Sequence, residues 1–158
     1  IQMMLKKYFQ SLGGVYMLGD SVTEGKFENG RLKSIKTLNN EATEFEADNF
    51  VLATGSFFSK GLIATPDKIY EPVFGIDLTY NEGRENWFNT NFWKKQNYIS
   101  FGARVDADLN ASINGNKISN LYAIGSVTGG TNALYEGCGG GVAIITALAA
   151  ADRILEKK

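Results

Sequence analysis

Residues 120–151 read NLYAIGSVTGGTNALYEGCGGGVAIITALAAA, and the fold turns on how this run divides. The apolar stretch Leu121-Tyr122-Ala123-Ile124 reads as a buried strand ending at Gly125. Twelve mostly small or polar residues follow, Ser126 to Gly137. Cys138-Gly139-Gly140-Gly141 then opens a helix that is apolar on almost every face until Asp152, so Val142 to Ala151 reads as a core helix. The first N–H groups of a helix lack partners and lie at the positive end of its dipole. Strand, glycine-rich loop and bare helix start therefore make a receptor for an anion or a ring carbonyl. The alternative is close helix–strand packing, for which one glycine suffices. Glycine fills four of the five positions 137–141, which exceeds that need.

Working outward, Phe50-Val51-Leu52-Ala53-Thr54 is a second continuous apolar run, and it ends at Gly55. That pattern predicts an interior strand of a parallel sheet covered on both faces. Upstream, Met4, Leu5, Tyr8, Phe9 and Leu12 recur at helical spacing, and Gly13-Gly14 ends the helix. Val15–Leu18, Val22–Phe27, Arg31–Leu38 and Ala42–Ala47 read as short strands of an antiparallel meander. Asn29-Gly30 is the hairpin turn between the second and third. Residues 56–83 carry Pro66, Pro72 and no clear period, which predicts a long loop or lid. Trp87, Phe88, Phe92 and Trp93 suit a short helix over about 84–95, as core or partner surface. Ile99–Ala107 reads as a strand, and Leu109–Lys117 as a polar loop.

Composition narrows the function classes. With 158 residues, 44% hydrophobic and 21% charged, the chain is one ordinary globular domain in size. A net charge of −1 points to neither nucleic acid nor an anionic membrane as the main partner. No apolar run reaches the roughly 18 residues of a membrane span. The single cysteine, Cys138, excludes an intrachain disulfide and fits a reducing compartment. There is no histidine, which removes the commonest general base and the commonest metal ligand, and no metal site is expected. The opening Ile1-Gln2-Met3-Met4 looks like a chain entered partway through, so a fragment is expected.

Two strand ends at Gly55 and Gly125, followed by a glycine-rich helix start, resemble the C-terminal half of flavoproteins with two dinucleotide-binding domains. The likeness is closer in three places: Ala53-Thr54-Gly55-Ser56-Phe57-Phe58-Ser59-Lys60-Gly61-Leu62, Glu71-Pro72-Val73-Phe74-Gly75-Ile76-Asp77, and Asn120–Ala123 with Glu136–Gly139. Over residues 45 to 155 the chain resembles the B-subunit family of anaerobic glycerol-3-phosphate dehydrogenase. The resemblance implies an α/β fold, an incomplete FAD/NAD(P)-binding, Rossmann-like domain. Parallel strands and an antiparallel meander (about 14–48) would accompany a glycine-rich loop opening the C-terminal helix. Residues 49–58 and 118–156 would carry the flavin fold, and 59–117 an inserted lid or partner region. It further implies a cytoplasmic flavin-bearing subunit held at the inner membrane by its partners. Those partners would be a catalytic A subunit and an iron–sulfur, membrane-attached C subunit, oxidising glycerol 3-phosphate and passing electrons towards quinone. FMN is the implied cofactor, with FAD as the alternative.

The candidate cofactor-binding residues are Thr54, Gly55, Gly125, Ser126, Gly137, Cys138, Gly139 and Gly140. A helix start aimed at the N1–C2=O edge of a flavin would stabilise negative charge on the reduced ring. Gly55 and Gly125 would let the cofactor approach, or serve only as strand-end turns. Ser126 would donate to a ribityl or phosphate oxygen, or cap a loop; many flavoproteins of this plan carry an acidic residue there. Cys138 reads as a packing residue rather than a redox thiol. Arg84, Arg104 and Lys60 could meet a phosphorylated substrate, although solvated charge is the simpler reading. The Gly-x-Gly-x-x-Gly fingerprint is absent, so half the cofactor cradle is missing and no stoichiometric flavin is expected on this piece alone. No catalytic residue can be assigned. A stand-alone flavin oxidoreductase acting on another substrate, or a non-enzymatic docking module, are the competing functions.

Overall fold

A computed structural model of the chain describes residues 1–157. Helix α1, Gln2–Ser11, follows the predicted spacing, and Gly13 leaves it with φ +86°. None of its residues is buried. The expected strand at Val15–Leu18 does not form; that stretch finds no ladder partner among the described residues and stays exposed.

The meander has three strands. Strand β1, Val22–Glu28, turns at Asn29 (φ 50°) and Gly30 (φ 71°) into β2, Arg31–Thr37. Two successive positive φ values make the tight turn whose twist suits a hairpin. The last meander strand shrinks from the expected Ala42–Ala47 to β3, Phe45–Glu46, which pairs with Ser34 and Ile35.

Strand β4, Phe50–Leu52, begins the second sheet. Two small antiparallel ladders come next: β5, Ile63–Ala64, with β6, Ile69–Tyr70, and β7, Leu78–Thr79, with β8, Gly102–Ala103. Strands β9, Asn110–Ile113, and β10, Asn116–Ala123, complete the second sheet in the order β4-β10-β9. The parallel pairing of β4 and β10 is as expected, with Phe50, Val51 and Leu52 opposite Leu121, Tyr122 and Ala123.

Other expectations need correction. Leu109–Lys117 is not a loop but the β9–β10 hairpin, turning at Asn114 (φ 51°) and Gly115 (φ 77°). Its polar strand residues concealed it, although Asn-Gly carries the same turn chemistry here as at residues 29–30. The helix expected over 84–95 is replaced by a 3₁₀ turn at Arg84–Asn86 and an irregular loop. There Gln96 accepts from the Asn89 N–H, Asn89 from that of Asn91, and Asn91 from that of Trp93. Short amide side chains thus take the N–H groups a helix would have used. Of Ile99–Ala107 only β8 joins a ladder, with isolated bridges from Ala103 to Thr128 and from Val105 to Ala111. Strand β4 is an edge, not an interior strand: Leu52 is buried but Val51 is 47% exposed.

The core joins the two sheets. Leu32 of β2, Leu52 of β4, and Leu121 and Ala123 of β10 pack together with Leu62, Phe101 and Val127. Asn120, buried on β10, ties the layers by accepting from the Leu32 N–H (2.8 Å) and donating to the carbonyls of Leu32 (2.8 Å) and Asp48 (3.0 Å). A side-chain amide here completes the hydrogen bonds that a neighbouring strand would otherwise supply.

Helix α2, Ala133–Glu136, interrupts the loop after β10, and α3, Gly139–Glu156, ends the chain's regular structure. The expected core helix at Val142–Ala151 is largely exposed, and Ala150 is its one buried residue. Contact is confined to a narrow stripe at fourfold spacing, Val142, Thr146, Ala150 and Ile154, which are the less exposed positions. At the helix's far end Lys157 Nζ donates to the Tyr122 hydroxyl of β10 at 2.8 Å.

Candidate cofactor site at the paired strand ends

Parallel pairing of β4 with β10 brings Thr54-Gly55 and Gly125-Ser126 to the same edge of the sheet. The Ile124 N–H donates to the Leu52 carbonyl at 3.0 Å, which continues the ladder to the last residue before Gly125. Both glycines then turn in the left-handed region, Gly55 at φ 83° and Gly125 at φ 68°. A Cβ placed on Gly55 would lie 3.6 Å from Ser126 Oγ, so the two strand ends are neighbours. Such a crevice beyond the carboxyl ends of parallel strands is where open α/β sheets bind ligands.

Each turn is held by its own local bonds. After Gly55 the chain makes a 3₁₀ turn, Phe57–Ser59, and returns at Gly61, whose N–H donates to the Ser56 carbonyl at 3.0 Å. A side chain on Gly61 would overlap the Gly55 carbonyl oxygen, so this position requires glycine. At the other strand end the buried Gly125 N–H donates to Thr146 Oγ1 of α3 at 2.8 Å. That hydroxyl in turn donates to the Val142 carbonyl at 2.7 Å. The Gly125 carbonyl accepts from the Thr128 hydroxyl at 2.7 Å. Buried Asn132 accepts from the Tyr135 N–H (3.1 Å) and donates to the Gln96 carbonyl (3.2 Å), which fixes the start of α2.

The glycines at the start of α3 separate the two readings of the sequence. Gly137 ends α2 with φ 66°, a left-handed cap. A Cβ on Gly140 or Gly141 would meet nothing within 4 Å, and on Gly139 only Ala133 Cβ at 3.6 Å. Packing within the described residues therefore does not require glycine at 139–141. The N–H groups of these three residues also find no acceptor on another element among the described residues. Cys138 is half-buried, and its Sγ lies 3.7 Å from Glu136 Oε2.

A cleft of about 180 Å³ runs between the strand ends and the helix start, lined by Ser56, Gly125, Ser126, Thr131, Leu134 and Val142. Thr54 Oγ1 is buried without a hydrogen-bond partner, and Thr54 lines a separate cavity of about 600 Å³ with Ser59, Lys60 and Pro72. Open glycines and free N–H groups at the start of α3 suit the polar edge of a flavin. Arg84 and Arg104 are engaged elsewhere, Arg84 over the Trp87 ring at 5.8 Å and Arg104 with the Leu78 carbonyl at 3.4 Å. Lys60 and Ser126 are exposed. Sequence reasoning missed the roles of Gly61, Thr128, Asn132 and Thr146. Gly61 lies within the Ala53–Leu62 motif, whereas the hydroxyls and amide bond only to elements brought near by folding.

The chain belongs to the FAD binding domain family, whose model matches residues 2–142. It is 49% identical over 158 residues to the B subunit of the anaerobic glycerol-3-phosphate dehydrogenase of Haemophilus influenzae (strain ATCC 51907), covering 97% of this chain. Proteins of the same name from Actinobacillus succinogenes and Vibrio vulnificus (strain CMCP6) are 44% and 42% identical, over 97% and 100% of this chain. The chain spans 37% of the length of each of these relatives. No solved structure matches it. Mixed sheets with few helices agree with an α/β FAD-binding fold.

Proposed function

We propose that the chain supplies the ring-side half of a flavin site in the B subunit of an anaerobic glycerol-3-phosphate dehydrogenase complex. The observation that carries this reading is the shared edge of β4 and β10, where Gly55 and Gly125 turn beside a cleft that reaches Val142 in the first turn of α3. A bound flavin would supply reversible electron storage. The chain's part is placement. Thr54 and Ser126 meet the hydroxylated chain, Gly55 and Gly125 let it approach, and Gly137 to Gly140 with Cys138 set the helix start against the ring. Residues 59–117 form a lid or partner region in this reading. A 180 Å³ cleft is smaller than the roughly 300–1,000 Å³ of complete small-molecule sites, in keeping with a site finished by further sequence.

In the whole complex the electrons come from glycerol 3-phosphate and pass towards quinone. The catalytic A subunit oxidises the substrate, and the iron–sulfur C subunit holds the assembly at the inner membrane. FMN is the proposed cofactor, and FAD is the alternative that the family description favours. The test is to purify the full-length protein with its complex and release the flavin for chromatography. Electron transfer from glycerol 3-phosphate to a quinone analogue is then followed. Colourless full-length protein would overturn the flavin reading; flavin with activity on another substrate would overturn only the substrate.

A further inference from the structure

Polar side-chain bonds fasten helix α3 to the strands beneath it at both ends. Towards its far end Arg153 Nε meets Asp108 Oδ1, in the turn before β9, at 3.1 Å. Just past the last turn Lys157 Nζ donates to the Tyr122 hydroxyl (2.8 Å) and to the Ser119 carbonyl (3.2 Å). Near the start the fastening is Thr146. Its Oγ1 accepts from the Gly125 N–H at 2.8 Å and donates to the Val142 carbonyl, one turn back in the same helix, at 2.7 Å.

The first turn of α3 cannot hold itself in place. Gly139, Gly140 and Gly141 have no side chains, so this turn takes its position from the residues that follow. Gly125 lies against Ala143: a Cβ built on Gly125 would stand 3.9 Å from Ala143 Cα. That contact limits how near the helix comes to the strand end, but dispersion is non-directional and leaves the helix free to slide or rotate. A hydrogen bond is directional and weakens steeply when bent. The Gly125 N–H can only donate, so the Thr146 hydroxyl turns its lone pair to that N–H and its proton to the Val142 carbonyl. One oxygen thus ties the helix backbone to the strand end, a single turn below the glycines.

We propose that Thr146 is a positioning residue for the flavin. It holds the start of α3 at the strand ends, and so sets how much more tightly the reduced cofactor is bound than the oxidised one. This inference rests on the flavin site proposed for those strand ends. The positive end of a helix favours negative charge, and its influence falls off within the first turn. Displacement of the start therefore weakens binding of the reduced, more negative form more than that of the oxidised form. The fastening at Lys157 differs in kind. It lies about 25 Å along the helix from the glycines and reaches through a long, flexible side chain, so it keeps α3 on the sheet without fixing where the helix begins.

The test uses the full-length protein purified without other subunits and loaded with FMN, and separately with FAD. The dissociation constant, the reduction potential of the bound flavin and the urea unfolding midpoint are measured for each variant. Thr146→Val keeps the shape of the side chain and removes the acceptor. It should weaken binding of the reduced flavin about tenfold more than binding of the oxidised form, which lowers the two-electron potential by about 30 mV. Thr146→Ser should restore the wild-type potential. Lys157→Met should lower the unfolding midpoint and leave the potential where it was. If the valine protein does not fold, Thr146→Cys, whose sulfur is a weak acceptor, must show the lowered potential in its place. A potential unchanged in the variant that folds, not restored by serine, or lowered equally by Lys157→Met overturns the proposal and leaves the flavin site standing. Wild-type protein that takes up neither flavin overturns the site itself, and the role of Thr146 with it.

Discussion

Gly61 and Gly140 are the same residue under opposite constraints. Gly61 has the Gly55 carbonyl where a Cβ would stand, and backbone cannot move aside as a flexible side chain can. Gly61→Ala should therefore cost about 1–3 kcal/mol of stability. Gly140 has open space, so Gly140→Val should leave the unfolding midpoint of the full-length protein unchanged or slightly raised, because valine suits a helix no worse than glycine. Its flavin content should nevertheless fall, as absorbance of the purified variant would show. A Gly140→Val protein with full flavin content would remove these glycines from the site. Thr146 acts through Gly125: Thr146→Val leaves a buried N–H without its acceptor and should cost about 1–3 kcal/mol in urea unfolding. Thr146→Ser keeps the hydroxyl and should recover most of that loss.

At the scale of elements, the two sheets are joined at Asn120 and the β9–β10 turn is pinned by Asp77. Asn120→Ala strands the Leu32 N–H and carbonyl in a buried place, which should cost at least about 2 kcal/mol and lower the melting temperature. Retention of the wild-type melting temperature would mean that water replaces the amide. For Asp77, burial alone would raise the carboxyl pKa. The Gly115 N–H, the Ser112 hydroxyl, the Asn114 N–H and the nearby Arg104 charge outweigh it and hold the group below its ordinary value. A depressed folded pKa means stability that is complete above the unfolded value of about 3.9 and is lost as pH falls through the lower, folded one. Asp106, held down against its own burial first by Lys117, titrates in the same sense. Wild-type stability should thus be level above about pH 5 and decline below about pH 4. Asp77→Asn should start lower at neutral pH and decline less steeply, as urea midpoints across pH would show.

For the whole molecule, the unusual feature is how much apolar helix surface remains uncovered. Ile145 is 68% exposed and Leu148 63% exposed on α3, with Ile144 and Leu155 beside them. Together with α1, which buries nothing, they leave two apolar helix faces in water. The 158-residue chain alone should therefore self-associate and bind a hydrophobic dye. Ile145→Lys with Leu148→Lys should reduce both without lowering the unfolding midpoint, since neither side chain is buried. Analytical ultracentrifugation would check this; a monomeric wild-type chain would show that the faces do not attract one another.

What the sequence determined by itself is local. Asn29-Gly30 set a hairpin because two adjacent left-handed residues match strand twist, and the apolar runs at 50–54 and 121–124 set two strands. The glycine-rich start of α3 was legible because its residues are contiguous. Tertiary structure alone decided which polar residues would be strands: β9 and the start of β10 read as loop until Asn120 and Asp77 find partners 88 and 37 residues away. It also decided that the aromatic run at 87–93 is a pinned loop, with Trp87 in the core and Trp93 outside. Thr146 and Gly125, 21 residues apart, became one unit only when α3 folded over the strand end. A hydrogen bond across such distances leaves no period in the sequence, because the chain between its partners is free to vary.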